Sequence, residues 1–499
     1  MATLLKIASP RDGTPLGEVP ATDPAKVQAI VESCRRAQAE WAATPLSERI
    51  ARMKAARRRF LERAEAFVER ITAENGKPEA EAWMSEIVPT ADLFDYWLKN
   101  IRPHLARERV PLNPVNYPGK TAFIEYRPRG IIGLITPWNL PVAIPLRTLV
   151  PALLAGDGVV FKPSEFTPRC GALLAEVFEG MPLEVVQGAG EVGRALVEGG
   201  VDAVIFTGSV ATGKKVASAA AERLLPCSVE LGGKDAAIVL ADADLDRAAH
   251  GIVWGALHFA GQDCSSVERV YVVREVADAF LKRVTEEVSR LRLGVEVGPL
   301  TTPAQLEIVE RQVQEAVAKG AKVLCGGRRA PKEGLWFEPT VLTDVGEEMS
   351  ILCEETFGPV LPVVIVEDAK EALSRVNASE YGLTASLWTR DVMAGWHLAA
   401  EVETGVFMVN NHSFTGAVPA LPWSGVKRSG YGVTGSHLAL ESLVRPQVVL
   451  LDRSRAKREM WWFPYDEALL VAARALRDLA LGRVGALGRL LGAFLRRFK

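Results

Sequence analysis

Cys264 stands in Ala260-Gly261-Gln262-Asp263-Cys264-Ser265-Ser266, a run of small and polar residues inside an apolar neighbourhood. A thiolate is a potent nucleophile near neutral pH, and a thiol placed where a helix stops can face a cleft and attack a carbonyl carbon. The apolar residues from Leu245 to Phe259 recur at helical spacing, and Gly261 predicts the end of that helix. The other cysteines, Cys34, Cys170, Cys227, Cys325 and Cys353, read as buried, inert thiols without C-x-x-C spacing, which argues against a disulfide scaffold or a zinc site and for a reducing, cytoplasmic setting.

The elements that must hold such a thiol are legible from Gly130 onward. Short apolar runs, Ile131 to Ile135, Gly158 to Lys162, Leu183 to Val186 and Ala203 to Phe206, alternate with helical stretches, which predicts a parallel sheet in an α/β domain. A second α/β region runs from about Leu231 to Pro422, with strands expected at Val270 to Val273, Val363 to Val366 and Val406 to Val409. Upstream, Asp23-Pro24 starts a helix that runs to about Trp41. A second helical stretch from Leu46 to Glu74 stops at Gly76 and carries Arg49, Arg52 and Arg57 to Arg59 on an expected solvated face. Between Val110 and Arg129, alternation after a proline-rich start reads as an exposed hairpin able to join subunits.

Two glycine stretches compete for a phosphate-bearing cofactor. Gly188-Ala189-Gly190-Glu191-Val192-Gly193 matches G-x-G-x-x-G but lacks the acidic residue expected roughly 20 positions later. In Gly208-Ser209-Val210-Ala211-Thr212-Gly213-Lys214-Lys215, Lys215 stands where a P-loop needs Ser or Thr, which counts against an NTPase. What remains is a glycine turn after the strand ending at Phe206, opening a helix whose free N–H groups can hold a pyrophosphate.

Six motifs then occur in order: Pro137-Trp138-Asn139, Lys162-Pro163-Ser164-Glu165, Phe206-Thr207-Gly208-Ser209, Glu230-Leu231-Gly232-Gly233-Lys234, Gly261-Gln262-Asp263-Cys264, and Glu354-Glu355-Thr356-Phe357-Gly358-Pro359. Together they closely resemble the aldehyde dehydrogenase superfamily, from about Ala21 to Pro446. The resemblance implies a Rossmann-like NAD domain (residues 1–109 and 130–230), an α/β catalytic domain (231–422) and an oligomerisation hairpin with a return segment (110–129 and 423–452), assembled as a homodimer or homotetramer.

It further implies NAD-dependent oxidation of an aldehyde, with Cys264 as nucleophile, Glu230 as general base and Asn139 as oxyanion donor. An oxyanion donor of this kind lowers a barrier by roughly 3 kcal/mol. By the same match Lys162 and Glu165 reach the adenosine ribose beside Ser164, and Ser209 reaches the pyrophosphate where Gly208 and Gly213 frame the turn. Leu231 is a further cofactor contact, Glu355 and Phe357 hold the nicotinamide ribose and ring, Trp138 lines the site, and no metal is implied. Glu165 predicts NAD over NADP, since a carboxylate repels a 2′-phosphate. Thr434 replaces a glutamate common in the family, so Glu230 is expected to work through water alone or to reach solvent by another path, and Trp423-Ser424 reshapes the funnel. No arginine is expected there to clamp a substrate carboxylate, which leaves a semialdehyde dehydrogenase, or an acylating relative that hands the thioester to coenzyme A, as alternatives.

At 499 residues, 48% hydrophobic, 24% charged and a net charge of -2, the chain has room for two or three domains and no general attraction to nucleic acid. The stretch Gly130 to Leu146 is interrupted by Pro137, Pro141 and Pro145 and makes a poor membrane span, and Met1 to Arg11 does not read as a secretory signal. Residues 453–499 differ: eleven basic residues against four acidic ones give +7, beside an apolar stripe of Leu476, Leu479, Ala480, Val484, Leu487, Leu490, Leu491, Phe494, Leu495 and Phe498 that follows Trp461-Trp462-Phe463. Such a basic amphipathic extension either lies on an anionic membrane surface or packs on its own or a partner subunit. Both readings favour a medium- or long-chain apolar aldehyde.

Overall fold

The computed structural model describes residues 3–114 and 116–498. Lys499 of the basic extension, the side chain of Phe498 and Val115 of the expected hairpin lie outside the described residues. The chain divides into two compact units, one holding the chain up to Ala106 together with Tyr126–Pro446, the other Arg107–Glu125 with the chain from Gln447 onward.

In the first unit a six-stranded sheet has the order Gly430–Tyr431, Cys227–Leu231, Ala203–Gly208, Ile131–Ile135, Gly158–Lys162, Leu183–Val185, and all but the two-residue edge strand run parallel. Every residue of Ile131–Ile135 and Gly158–Lys162 is buried, as a parallel strand covered on both faces requires. Alternation decides which face each side chain joins: Ile131, Val160, Val204 and Phe206 pack with Val27, Val31 and Cys34 of the helix Val27–Ala43, and Ile132, Val159, Phe161 and Ile205 pack with Trp41 near its end and with the helices around Phe60 and Trp97.

A seven-stranded sheet follows, ordered Lys322–Cys325, Thr340–Thr343, Val360–Val366, Val267–Val273, Asp235–Val239, Thr384–Trp388, Val406–Val409, with only the first pair antiparallel. The chain crosses from the first sheet to the second through Gly232, Gly233 and Lys234 alone.

The expected helix start holds: Asp23 accepts the Ala25 N–H, one tight turn follows, and Val27–Ala43 is helical. The stretch from Leu46 is two helices, Leu46–Glu62 and Ala64–Asn75, closed by Gly76 at φ +79°, where a Cβ would lie 2.4 Å from the Pro299 ring. Arg49 departs from the expected solvated face. It is buried, with Nη1 3.4 Å from the Ala42 carbonyl, because its turn of the helix faces the chain reversal at Thr44-Pro45. The thiols also differ from expectation: Cys34 and Cys170 are buried, Cys227 and Cys325 half-buried, and Cys353 is exposed.

The second unit holds residues 447–452, 120–125 and 108–110 of a three-stranded sheet, in that order, and a helical pair, Glu467–Ala480 and Ala486–Phe498, turned at Gly482 (φ +77°). The segment 423–446, expected with the hairpin, instead lies in the first unit and supplies Gly430–Tyr431 to the six-stranded sheet. Among the described residues no helix is long and apolar enough to cross a membrane, and no group of three or more His, Cys, Asp or Glu side chains is placed to hold a metal.

Candidate active site

Strand order in the six-stranded sheet reverses between Ile131–Ile135 and Ala203–Gly208, and ligands of open α/β sheets bind at the carboxyl ends of strands beside such a reversal. The residues singled out in the sequence cluster on that edge. Trp138 and Asn139 follow the strand that ends at Ile135, Lys162 ends its strand ahead of Ser164 and Glu165, Gly208 and Ser209 finish the third, and Glu230 and Leu231 finish the fourth. Cys264, Glu355 and Phe357 come from the other sheet, each just before the amino end of a strand, Val267–Val273 or Val360–Val366. The short crossover joins the two edges: a Cβ on Gly233 would meet the Cys264 carbonyl oxygen at 2.6 Å, and one on Gly232 would fall 2.2 Å from the Glu355 carboxylate.

The turn before Cys264 is left-handed at three successive residues, Phe259 (φ 54°), Ala260 (55°) and Gly261 (70°), a costly conformation for the first two. Side chains hold it. Glu81 accepts the Phe259 N–H at 3.1 Å, and Gln262 donates to the Phe259 and Pro299 carbonyls while its own oxygen accepts the Thr301 N–H. Asp263 accepts from the Ser265 N–H and hydroxyl, each at 2.9 Å, and pairs with His258 at 3.2 Å. His412 and the Ser413 hydroxyl donate to the Ser265 carbonyl.

A cavity of about 600 Å³ opens over Cys264. Glu230, Arg147, Thr434 and Trp423 share its inner wall, and Met84, Val88, Trp254, Phe414 and Leu421 line it as large apolar side chains that remain exposed. Arg147 corrects the expectation of a funnel without arginine. It donates to the Gly416 carbonyl and stands 5.8 Å from the Trp423 ring. Asn139 is brought near but does not line this cavity; with Trp138 it borders a void of about 10 Å³. Its backbone is fixed by a buried ion pair, Lys77 with Glu86 at 2.7 Å, in which Lys77 also donates to the Asn139 carbonyl and Glu86 caps the Val142 and Ala143 N–H groups where the helix Ala143–Ala155 begins. The Asn139 Oδ1 and Glu230 Oε1 atoms are buried without a hydrogen-bond partner.

The electrostatics separate the two reactive groups. Burial pushes the Cys264 thiol well above its ordinary value, and Asp263, Asp235 and Glu230 add to this, so the resting thiol is protonated. Burial also pushes Glu230 up to about 7, with Thr434 and the Arg147 charge pulling the other way. Thr434 thus occupies the flank of Glu230, clasped to Trp423 by a pair of backbone bonds.

On the cofactor side, Ser209 caps the helix Val210–Glu222 by accepting the Thr212 N–H, leaving the amino end open. Gly213 permits the close approach of Leu231, whose Cδ2 would lie 2.3 Å from a Cβ there, and Gly208 does the same for the Phe206 ring. Lys162 is buried, 3.7 Å from the half-exposed Glu165, and the Ser164 hydroxyl accepts the Phe166 N–H. Burial raises Glu355 to about 8, chiefly by desolvation and then by Glu268. Phe357 meets Trp138 edge to face, centroids 5.5 Å apart. A support that sequence reasoning missed holds this corner: Glu268 accepts from Lys234 (2.5 Å) and from the Thr356 and Phe357 N–H groups. A capped, uncrowded helix end, glycines that close the fold tightly beneath it and polar groups at strand ends fit a dinucleotide.

A model of the aldehyde dehydrogenase family matches residues 2–449. The chain belongs to the aldehyde dehydrogenase family. It is an oxidoreductase that converts an aldehyde to a carboxylic acid with NAD(P). Among its relatives, the 4,4'-diapolycopene aldehyde oxidase of a Methylomonas species is 36% identical over 98% of this chain and 93% of its own, a span that extends beyond the family model into the C-terminal helices. A putative succinate-semialdehyde dehydrogenase [NADP(+)] of Mycobacterium ulcerans is 37% identical over 84% of this chain and 83% of its own. An aldehyde dehydrogenase of Mycobacterium tuberculosis complexed with NAD+ superposes with a TM-score of 0.85 at 33% identity, covering 90% of this chain and 95% of that one.

Proposed function

We propose that the enzyme oxidises long, apolar aldehydes with NAD, through Cys264 as nucleophile, Glu230 as general base and Asn139 as oxyanion donor. The observation that carries this reading is that Cys264 and Glu230 open into one cavity whose exposed lining, apart from Asp92, is apolar, through Met84, Val88, Trp254, Phe414 and Leu421. The similarity to a diapolycopene aldehyde oxidase over nearly the whole chain supports the same substrate class.

In this reading the Cys264 thiol releases its proton to water, the sulfur bonds to the carbonyl carbon, and the oxygen that gains the negative charge is met by the Asn139 amide and the Cys264 N–H. A nicotinamide held by Glu355 and Phe357 would supply the chemistry of a hydride acceptor beside the former aldehyde carbon. Glu230 then takes a proton from water, which attacks the thioester, and the carbon–sulfur bond breaks to give the acid and the free thiol. A carboxyl that ionises near 7 is suited to that exchange at neutral pH. Lys162, Glu165, Ser209, Glu355 and Phe357 hold the cofactor, and the Glu165 carboxylate disfavours a 2′-phosphate.

A second reading rests on Arg147. A guanidinium in the cavity is able to receive a substrate carboxylate, as a semialdehyde would offer, although Gly416 and Trp423 already engage it. NADH formation against aldehydes from acetaldehyde through long-chain alkanals to polyenals separates the two. We expect kcat/KM to climb with chain length; a preference for succinic semialdehyde replaces the first reading by the second.

The helical pair supports a location at an anionic lipid surface, in a homo-oligomer of the kind general in the family. Its small interior is built on Ala472, Ala475, Ala486 and Ala493, while Val484 (81%), Leu495 (65%) and Phe463 (76%) are exposed among arginines.

A further inference from the structure

We infer that His258 is a positioning residue for the Cys264 loop: as an imidazolium it clasps Asp263 and offsets the charge of the carboxylate that flanks the thiol. The geometry fixes its protonation. His258 Nδ1 lies 2.8 Å from the Trp254 carbonyl and Nε2 3.2 Å from an Asp263 carboxylate oxygen, so both ring nitrogens face acceptors, and a neutral ring has only one N–H to give. The Trp254 indole lies flat on the ring, centroids 4.6 Å apart and planes 12° apart, the arrangement that a cation over an aromatic face favours.

The clasp also closes the left-handed turn. It joins the residue before Phe259 to the residue before Cys264, spanning the three residues with positive φ. The other Asp263 oxygen holds Ser265 from beyond the thiol and stands 3.6 Å from the Cys264 sulfur itself.

The charged and titratable groups around His258 agree. Burial pulls the ring's pKa down, but Asp263 and then Glu81 outweigh it, and the result is above the ordinary histidine value. Burial pushes Asp263 up, yet His258 and Ser265 hold it below the usual carboxylate range. Glu81 is itself raised to about 7 by burial, and Lys77 lies over the Phe259 ring at 3.8 Å. On the far side of the loop His412 is the opposite case. Its Nε2 donates to the Ser265 carbonyl while Nδ1 accepts from the Ser386 hydroxyl, and burial lowers it to about 4, so it is neutral and leaves Asp263 uncompensated. Among the described residues, only His258 stands within bonding distance of Asp263 as a cation. Without that cation, the Asp263 charge acts undiminished on the sulfur and opposes its ionisation.

This rests on Cys264 being the nucleophile, so the test reads the thiol and not turnover. Alkylation of Cys264 by iodoacetamide is followed across pH by mass spectrometry of its peptide in the full chain, with melting and NAD binding as folding controls. His258→Gln, which keeps a donor and removes the charge, should raise the apparent thiol pKa and slow alkylation at pH 8 about tenfold. Asp263→Asn should act with the opposite sign and speed it, and the double variant should fall between. A shared structural role would slow both single variants alike, and that result, or an unmoved profile in His258→Gln, overturns the inference. Should His258→Gln fail to fold, Asp263→Asn and Trp254→Leu decide: the first must speed alkylation and the second must slow it, and either failing to do so is equally fatal.

Discussion

The two units of the chain put polarity to different uses. In the first, charged groups are buried and individually answered: Lys77 by Glu86, Lys234 by Glu268, His258 by Asp263. In the second, apolar side chains such as Val484 and Phe463 stand exposed, while Asp478 gathers three arginines, Arg477, Arg483 and Arg489, whose hydrogen bonds and charges pull its carboxyl down to about 2. Burying a charge is expensive unless it is paired, and exposing a large apolar face has its use in being covered by something else. The contrast therefore separates residues kept for chemistry from residues kept for contact, and substitutions in each unit should fail in different ways.

The largest effect belongs to Cys264→Ser, which should abolish NADH formation while NAD still binds, because a serine hydroxyl is a far weaker nucleophile in the same place. Turnover that survives the change removes Cys264 from the mechanism. Glu230→Gln should leave a first-turnover burst of NADH and suppress the steady state by about two to four orders of magnitude, as loss of a general base does. A lost burst means that Glu230 also takes the thiol proton.

The same residue carries a pH signature. Its folded pKa of about 7 exceeds the ordinary 4.5, so the folded chain keeps a proton that the unfolded chain releases; this stabilisation is present below about pH 4.5 and lost as pH rises through 7. At pH 8 Glu230→Gln should thus melt higher than the parent, by up to about 3 kcal/mol of stability, with no gain at pH 4.5. Equal melting shifts at both pH values would contradict the burial of this carboxyl.

Smaller effects come next. Glu165→Gln should narrow the preference for NAD over NADP by roughly tenfold, the worth of one charge repulsion near 1.4 kcal/mol, measured as the ratio of kcat/KM values; a wild-type enzyme that prefers NADP defeats the argument at the start. Smallest for chemistry is Leu487→Glu paired with Val484→Glu in the helical hairpin. It should leave kcat for a short aldehyde unchanged while salt-sensitive sedimentation with phosphatidylserine vesicles falls. Unchanged vesicle binding with an altered oligomer size would assign the exposed face to a partner subunit.

Much of the architecture was legible because its signals are local. Strand-length apolar runs such as Ile131–Ile135, the cap at Asp23 and the stop at Gly76 each depend on neighbouring residues, and six ordered motifs carried the positions that collect at the strand ends. The supports were not legible. Glu268 meets Lys234 across 34 positions and Phe357 across 89, Glu86 reaches Val142 across 56, and no period or spacing announces pairs of that kind. Arg147 sits in the otherwise apolar helix Ala143–Ala155, and only the fold turns it toward Trp423. Arg49 shows the same limit in reverse, since a charge pattern along a helix does not reveal which turn faces a chain reversal.

The cavity over Cys264 holds about 600 Å³, the room that a drug-sized molecule takes, and its apolar lining at Met84, Val88, Phe414 and Leu421 stays exposed. A rod-shaped substrate longer than the cavity leaves its far end outside. For a molecule with an aldehyde at each end this makes catalysis distributive: the half-finished product has to let go, turn around and re-enter before its second end is oxidised. Early in the time course of a symmetric dialdehyde, the mono-acid should therefore accumulate ahead of the diacid, and the ratio of the two should rise with the excess of substrate over enzyme.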